Sequence, residues 1–229
     1  MKIAVLGTGM VGRAFAQRLT GLGHDVVIGT RDVDATAARL RRDPESLQQW
    51  LAQTAGARLV AFGEAGEHAE LVVNATAGAH SLAALEQVGA ERLAGRIVLD
   101  LAIPLDLSNG LPPALTVIGD DSLGEQLQRA FPDAHVVKAL HTMHYAVMLD
   151  PARLPGSHSV FVAGRSAQAK AVVSALITGL GWPDDSIIDL GGIETARATE
   201  MYSRLFFAMH GVFGTFDFNI DVVRAEPRS

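Results

Sequence analysis

The sequence predicts an α/β protein, a doubly wound and mostly parallel Rossmann sheet with a small C-terminal α/β annex. Three observations predict it. Short β-rich apolar runs alternate with helical patterns along the chain, as βα units on a parallel sheet do. The first run, KIAVL at Lys2–Leu6, ends directly in a GxGxxG motif at residues 7–12 that opens a helix. The 229 residues are 48% hydrophobic and 19% charged, enough to bury a sizeable core and too apolar for a disordered chain.

Each element follows from its own pattern. After the first strand, residues 11–22 carry Val11, Phe15 and Leu19 at i, i+4 and i+8, one apolar helical face. Residues 25–28 (DVVI) read as strand two and residues 34–42 as a charged surface helix. Residues 58–62 and 71–73 are strands three and four, 97–101 (IVLDL) strand five and 135–140 (HVVKAL) strand six. Ser122 and Glu125 form a capping box before Leu127, Ala130 and Phe131. A strand at 159–163, a helix at 167–180 and a short strand at 187–190 lead into a helix-like tail over 194–218. The two prolines of residues 149–156 (LDPARLPG) mark a junction. Residues 1–150 are expected to form the Rossmann NADP-binding domain, and 151–229 a small substrate and dimerisation domain.

Composition narrows the function. A formal net charge of −6 argues against a nucleic-acid binder, because neutralising phosphates needs a surplus of Lys and Arg. The chain has no cysteine, which removes disulfides, thiolate nucleophiles and Cys-ligated metals. No signal peptide is legible at Met1-Lys2, and His210 and Asp217 interrupt the most apolar late segment, which is no membrane span. A cytoplasmic protein without a membrane partner is expected.

The chemistry begins at Gly7-Thr8-Gly9-Met10-Val11-Gly12. Gly7 permits the tight turn, Gly9 lets backbone approach a pyrophosphate, and Gly12 lets the helix pack closely. The helix N-terminus then offers unpaired N–H groups to phosphate. At the end of strand two an NAD site places an acid, but this chain has Gly29-Thr30-Arg31. Arg31 can clasp a 2′-phosphate bidentately and Thr30 can add a hydroxyl, so NADP is the expected cofactor. On the nicotinamide side the candidate contacts are Ala75 and Thr76 after strand four, Ala102 and Ile103 after strand five, and Ala139 at the end of strand six. Asn74 and Asp100 have the common alternative of capping turns.

Strand six ends in Lys138-Ala139-Leu140-His141-Thr142-Met143-His144. No third ligand accompanies the two histidines, so no metal is expected. His141 is the candidate proton donor or substrate hydrogen-bonder at the mouth of the site, against the alternative of a structural histidine. Lys138 is expected to carry its head to solvent. Leu205, Phe206, Phe207, Met209, Val212, Phe213, Phe216 and Phe218 crowd the tail, an apolar surface that a homodimer would bury.

These stretches together (GTGMVGRAFAQRLTGLGHDVVIGTRD, then VVKAL-H-T, SVFVAG and the tail) resemble the NADPH:coenzyme F420 oxidoreductases. The resemblance covers most of the chain and is sharpest in the first 31 residues and over 136–164. It implies an N-terminal Rossmann domain, a small C-terminal domain and a dimer. It implies hydride transfer between NADPH and a deazaflavin, coenzyme F420, as co-substrate. It places pyrophosphate contacts on Thr8, Gly9, Met10 and Val11, and 2′-phosphate contacts on Thr30 and Arg31. His141 stands where the family commonly has Asn. Two other readings stay open: an NADPH-dependent reductase of a small imine or carbonyl with His141 as acid, and a non-catalytic NADPH-binding sensor or partner protein.

Overall fold

The computed structural model describes residues 1–42 and 57–225. Residues 226–229 of the expected annex lie outside the described residues. Ten strands are described: β1 (Lys2–Leu6), β2 (Asp25–Thr30), β3 (Arg58–Ala61), β4 (Leu71–Asn74), β5 (Ile97–Asp100), β6 (Leu105–Asp106), β7 (Ala114–Leu115), β8 (His135–Ala139), β9 (Val160–Gly164) and β10 (Ile187–Asp189). The helices that matter below are α1 (Met10–Gly21), α2 (Val33–Arg42), α3 (Phe62–His68), α4 (Gly78–Val88), α5 (Ala90–Leu93), α6 (Leu123–Ala130), α7 (Tyr145–Leu149), α8 (Ala167–Gly179) and α9 (Ala196–Phe213).

Eight strands form one sheet in the order β10-β9-β8-β5-β4-β1-β2-β3, parallel except where β8 meets β9. The strand order reverses between β1 and β4, and the crevice beyond their carboxyl ends is where an open α/β sheet binds ligands. Alternate side chains feed two cores, as the period of a strand dictates. Ile3, Val5, Val73, Leu99 and Val137 face α1 and α8 with Phe15, Leu19, Val173 and Trp182. Ala4, Leu6, Val72, Val98 and Val136 face α3, α4 and α6 with Phe62, Leu85 and Leu127. The strands are apolar on both faces because helices cover both.

Strands β9 and β10 lie beyond the expected junction at residue 150 and extend the same sheet. One expectation is corrected here. The tail is not helical to residue 218. Helix α9 stops at Phe213 because Gly214 adopts a left-handed φ of 68°, and the chain then runs back as an irregular strap. Asp217 pairs with Arg153 at 2.7 Å, and Ser159 N–H donates to the Ile220 carbonyl at 2.8 Å, which ties the strap down. The two-residue hairpin of β6 and β7 is too short to leave a periodic signal in the sequence. Among the described residues no helix is long and apolar enough to cross a membrane.

Candidate dinucleotide groove and its buried wall

The groove is built from strand ends. Gly7 N–H donates to the Gly29 carbonyl at 3.0 Å and Ala75 N–H to the Leu6 carbonyl at 3.0 Å, so the loops after β1, β2 and β4 meet at one edge. Glycine is required where they meet. A Cβ on Gly7, whose φ is +110°, would lie 2.7 Å from the Ala75 oxygen, and one on Gly12 would lie 2.1 Å from the Gly7 oxygen. Gly9 differs, because a Cβ there would meet nothing within 4 Å and would stand in the groove. Gly9 is also the N-cap of α1 and supplies no side-chain cap. The first-turn N–H groups are therefore left for a ligand, with the positive end of the helix dipole behind them.

A cavity of about 510 Å³ runs from this loop across the end of β2 to the loop after β4. Gly7, Thr8, Gly9, Thr30, Arg31, Ala75 and Thr76 line it, bringing seven of the expected contacts together. The Asp32 carboxylate does not reproduce an NAD acid, because its Oδ1 accepts the Ala35 N–H at 2.8 Å and caps α2. Thr30 and Thr36 share a hydroxyl hydrogen bond at 2.8 Å in the floor. Arg39 crosses the groove and donates to Thr8 Oγ1 at 2.7 Å, a second guanidinium beside Arg31. Two cations and two hydroxyls at the end of β2 suit a 2′-phosphate. Sequence reading missed Arg39, Phe62, His80 and Gln87 in this lining. The i, i+4 spacing of Ala35 and Arg39 behind the capping Asp32 was the available signal for Arg39.

The other expected contacts are not among the residues that line this cavity. Met10 is largely exposed at the start of α1, and Gly12 packs under the loop. Val11, Ala102, Ile103 and Ala139 are outside the groove lining, and Ala139 is fully buried in β8. Ile103 nevertheless closes the adjacent wall, since a Cβ on Gly78 would lie 2.2 Å from its carbonyl oxygen.

His141 is a correction. It is 3% exposed, and it lies inside the protein rather than at an open mouth. The strand ends at Ala139, one residue before the expected end, and Leu140 then takes a left-handed φ of 66° that turns the chain ahead of His141. Burial and the Lys138 ammonium push the imidazole well below the ordinary histidine range; backbone groups at Ala139 and Thr199 oppose this without outweighing it. Burial and the ammonium both favour the neutral imidazole. His144 is half-buried instead, stacked on Phe216 with ring centroids 5.4 Å apart. Burial also lowers its pKa.

Lys138 is the second correction. Its side chain is 0% exposed, because β9 pairs along the outer side of β8 and α9 covers the strand end. The ammonium donates to Asp100 Oδ2 at 2.9 Å, to Glu200 Oε1 at 2.9 Å and to the Ala102 carbonyl. Burial alone would lower its pKa, but Asp100 and Glu200 hold it above the ordinary lysine value. The capping box is present in altered form. Ser122 Oγ accepts the Glu125 N–H at 3.1 Å, and the Glu125 carboxylate is engaged by Arg197 of α9 at 2.6 Å.

The relatives agree with this geometry. A family model described as NADP oxidoreductase, coenzyme F420-dependent, matches residues 2–104. A crystal structure at 1.70 Å from Arthrobacter sp. FB24, provisionally assigned as an F420-dependent NADP reductase, is 52% identical and superposes with a TM-score of 0.91. That likeness covers 98% of this chain and 100% of that one. The chain belongs to the coenzyme F420-dependent NADP oxidoreductase family. The F420-dependent NADP reductase of Methanothermobacter marburgensis is 28% identical over 216 residues, 92% of each chain. Rat metalloreductase STEAP3 is 29% identical over 201 residues, and the match spans 87% of this chain but 36% of that protein. The family and the first two of these relatives are described as NADP-dependent oxidoreductases.

Proposed function

We propose that the protein transfers a hydride between NADPH and a deazaflavin acceptor of the coenzyme F420 type. The observation that carries the cofactor is the β2 end, where Thr30, Arg31 and Arg39 line one groove and Asp32, the one carboxylate among the described lining residues, caps a helix. NADPH, when bound, supplies the hydride from its nicotinamide ring. The chain's residues bind and orient. Gly9 and the first turn of α1 would hold the pyrophosphate, Arg31, Arg39 and Thr30 the 2′-phosphate, and Ala75 and Thr76 the wall beyond. Transfer between two stacked rings needs orientation and exclusion of water more than an acid. A site whose expected acid, His141, is buried and neutral suits that chemistry better than imine or carbonyl reduction. The full-length likeness to proteins described as F420-dependent NADP reductases supports the acceptor.

We place the protein in the cytoplasm, where an NADPH pool is available, without a nucleic-acid partner. We also propose a homodimer through α9, where Leu205, Val212 and Phe213 are more than half exposed on one segment. Leaving such an apolar surface in water is unfavourable, and a second copy would cover it. Mixing the protein with NADPH and purified coenzyme F420 tests the activity. Coupled changes in the nicotinamide and deazaflavin absorbances are expected. NADPH binding with no transfer to the deazaflavin would overturn the acceptor, and no NADPH binding would overturn the whole reading.

A further inference from the structure

A continuous line of buried polar side chains crosses the carboxyl edge of the sheet from the groove to the C-terminal helix. Thr76, in the groove lining, donates from Oγ1 to Asn74 Oδ1 at 2.7 Å. With its one proton so used, Thr76 accepts from the Ser81 hydroxyl at 2.9 Å. Asn74 donates from Nδ2 to Asp100 Oδ1 at 2.8 Å, and Asp100 Oδ2 accepts from Lys138. Lys138 bridges to Glu200 on α9, whose carboxylate accepts the Leu123 and Gly124 N–H groups of α6 at 2.8 and 3.0 Å. Asn74, Asp100, Lys138 and Glu200 are each at most 1% exposed.

From Asn74 to Glu200 the arrangement has one orientation, because carboxylates only accept and the ammonium only donates. The Asn74 amide gives its NH₂ to Asp100 and its oxygen to Thr76, so a flipped amide would set its oxygen against the Asp100 carboxylate and lose that bond. Asp100 is fixed by the Ala102 N–H at 3.1 Å and by the ammonium. Three donors of Lys138 meet three acceptors, and one of those acceptors belongs to α9. In a dry interior such a network is either fully satisfied or costly, which makes its geometry all-or-none.

We propose that Lys138 and Glu200 are positioning residues: through Asp100 and Asn74 they fix Thr76 in the groove wall, so that the seating of helix α9 and the affinity for NADPH are coupled. The inference rests on the reading that the groove takes NADPH. It assigns this part of α9 a role in the cofactor site that it does not touch. A mere staple would affect stability and leave the groove unchanged.

A double-mutant cycle separates the two. Glu200→Gln leaves the Lys138–Asp100 pair in place and keeps the shape, and Thr76→Val cuts the line at the groove. NADPH affinity is measured by nicotinamide fluorescence, well below the melting temperature of each variant. Mutations along a coupled network change binding by roughly 2- to 30-fold, and that loss is expected for Glu200→Gln in the native background. In the Thr76→Val background the same substitution is expected to have less than about a twofold effect, since the line is already broken. Equal losses in both backgrounds, or native affinity with a lowered melting temperature, would overturn the proposal. If Glu200→Gln does not fold, Asp100→Asn carries the same comparison. A native protein that binds no NADPH would overturn the cofactor reading itself, and this inference with it.

Discussion

The two ends of the crevice hold charge in opposite ways. At β1 and β2 the groove is open, built from glycines and backbone N–H groups, with guanidinium groups on its exposed rim. At β5 and β8 the wall is sealed, and one ammonium sits between two carboxylates with no access to water. The open end is suited to receive an anion, because no side chain caps the first-turn N–H groups of α1 and its cations are solvated. The sealed end is complete already, and every lone pair displaced there would leave a buried charge uncompensated. A binding site and a rigid support thus lie on the same strand edge, distinguished by burial.

The largest effect is expected from breaking the sealed end. Lys138→Met leaves Asp100 and Glu200 buried without their shared cation, and removing one partner of a buried ion pair costs about 3–5 kcal/mol. Chemical denaturation should show this loss, and an unchanged midpoint would mean that water reaches the carboxylates. At the open end, Gly9→Val should leave the fold intact, since nothing lies within 4 Å of the added Cβ. The branched side chain would occupy the phosphate cradle, and calorimetry should find NADPH binding weaker by about 100-fold or more, near 3 kcal/mol. Gly12→Val sharpens the contrast, because its side chain collides with the Gly7 carbonyl and should unsettle the loop itself.

Arg31→Ala tests the choice of cofactor. Losing a hydrogen bond to a charged group costs about 1.5–3 kcal/mol, or roughly 10- to 150-fold in NADPH affinity, with NADH little affected. Equal losses for the two would remove Arg31 from the 2′-phosphate. Arg39→Ala should act in the same direction.

The smallest effect is a pH dependence set by His141. Its folded pKa lies well below the ordinary histidine value. As pH falls below about 6.5 the unfolded chain binds a proton that the folded chain refuses, so stability falls with pH. The slope from this one group is up to about 1.4 kcal/mol per pH unit. His141→Asn should flatten the decline, leaving the smaller part due to His144 and His24, whose values burial also lowers. An identical slope in the variant would show that His141 is protonated in the fold.

What the sequence determined by itself is everything local. The period-2 runs, the helical face of Val11, Phe15 and Leu19, the glycines at 7, 9 and 12, and the Thr30-Arg31 pair all act through neighbours a few residues away. Their spacing therefore carries their geometry, and the open end of the crevice was legible. The tertiary structure alone decided the sealed end. Glu200 reaches Lys138 across 62 positions, and Asp100 across 38, so no window of sequence contains the partners that keep Lys138 from solvent. The antiparallel pairing of β9 with β8 decided it too, turning an expected strand end into the middle of a sheet. The left-handed turn at Leu140 then carried His141 inward, under a helix that arrives more than fifty residues later. Burial is a sum over contacts from the whole chain. A residue's type shows what it can do, and its neighbours in space decide whether water is there when it does it.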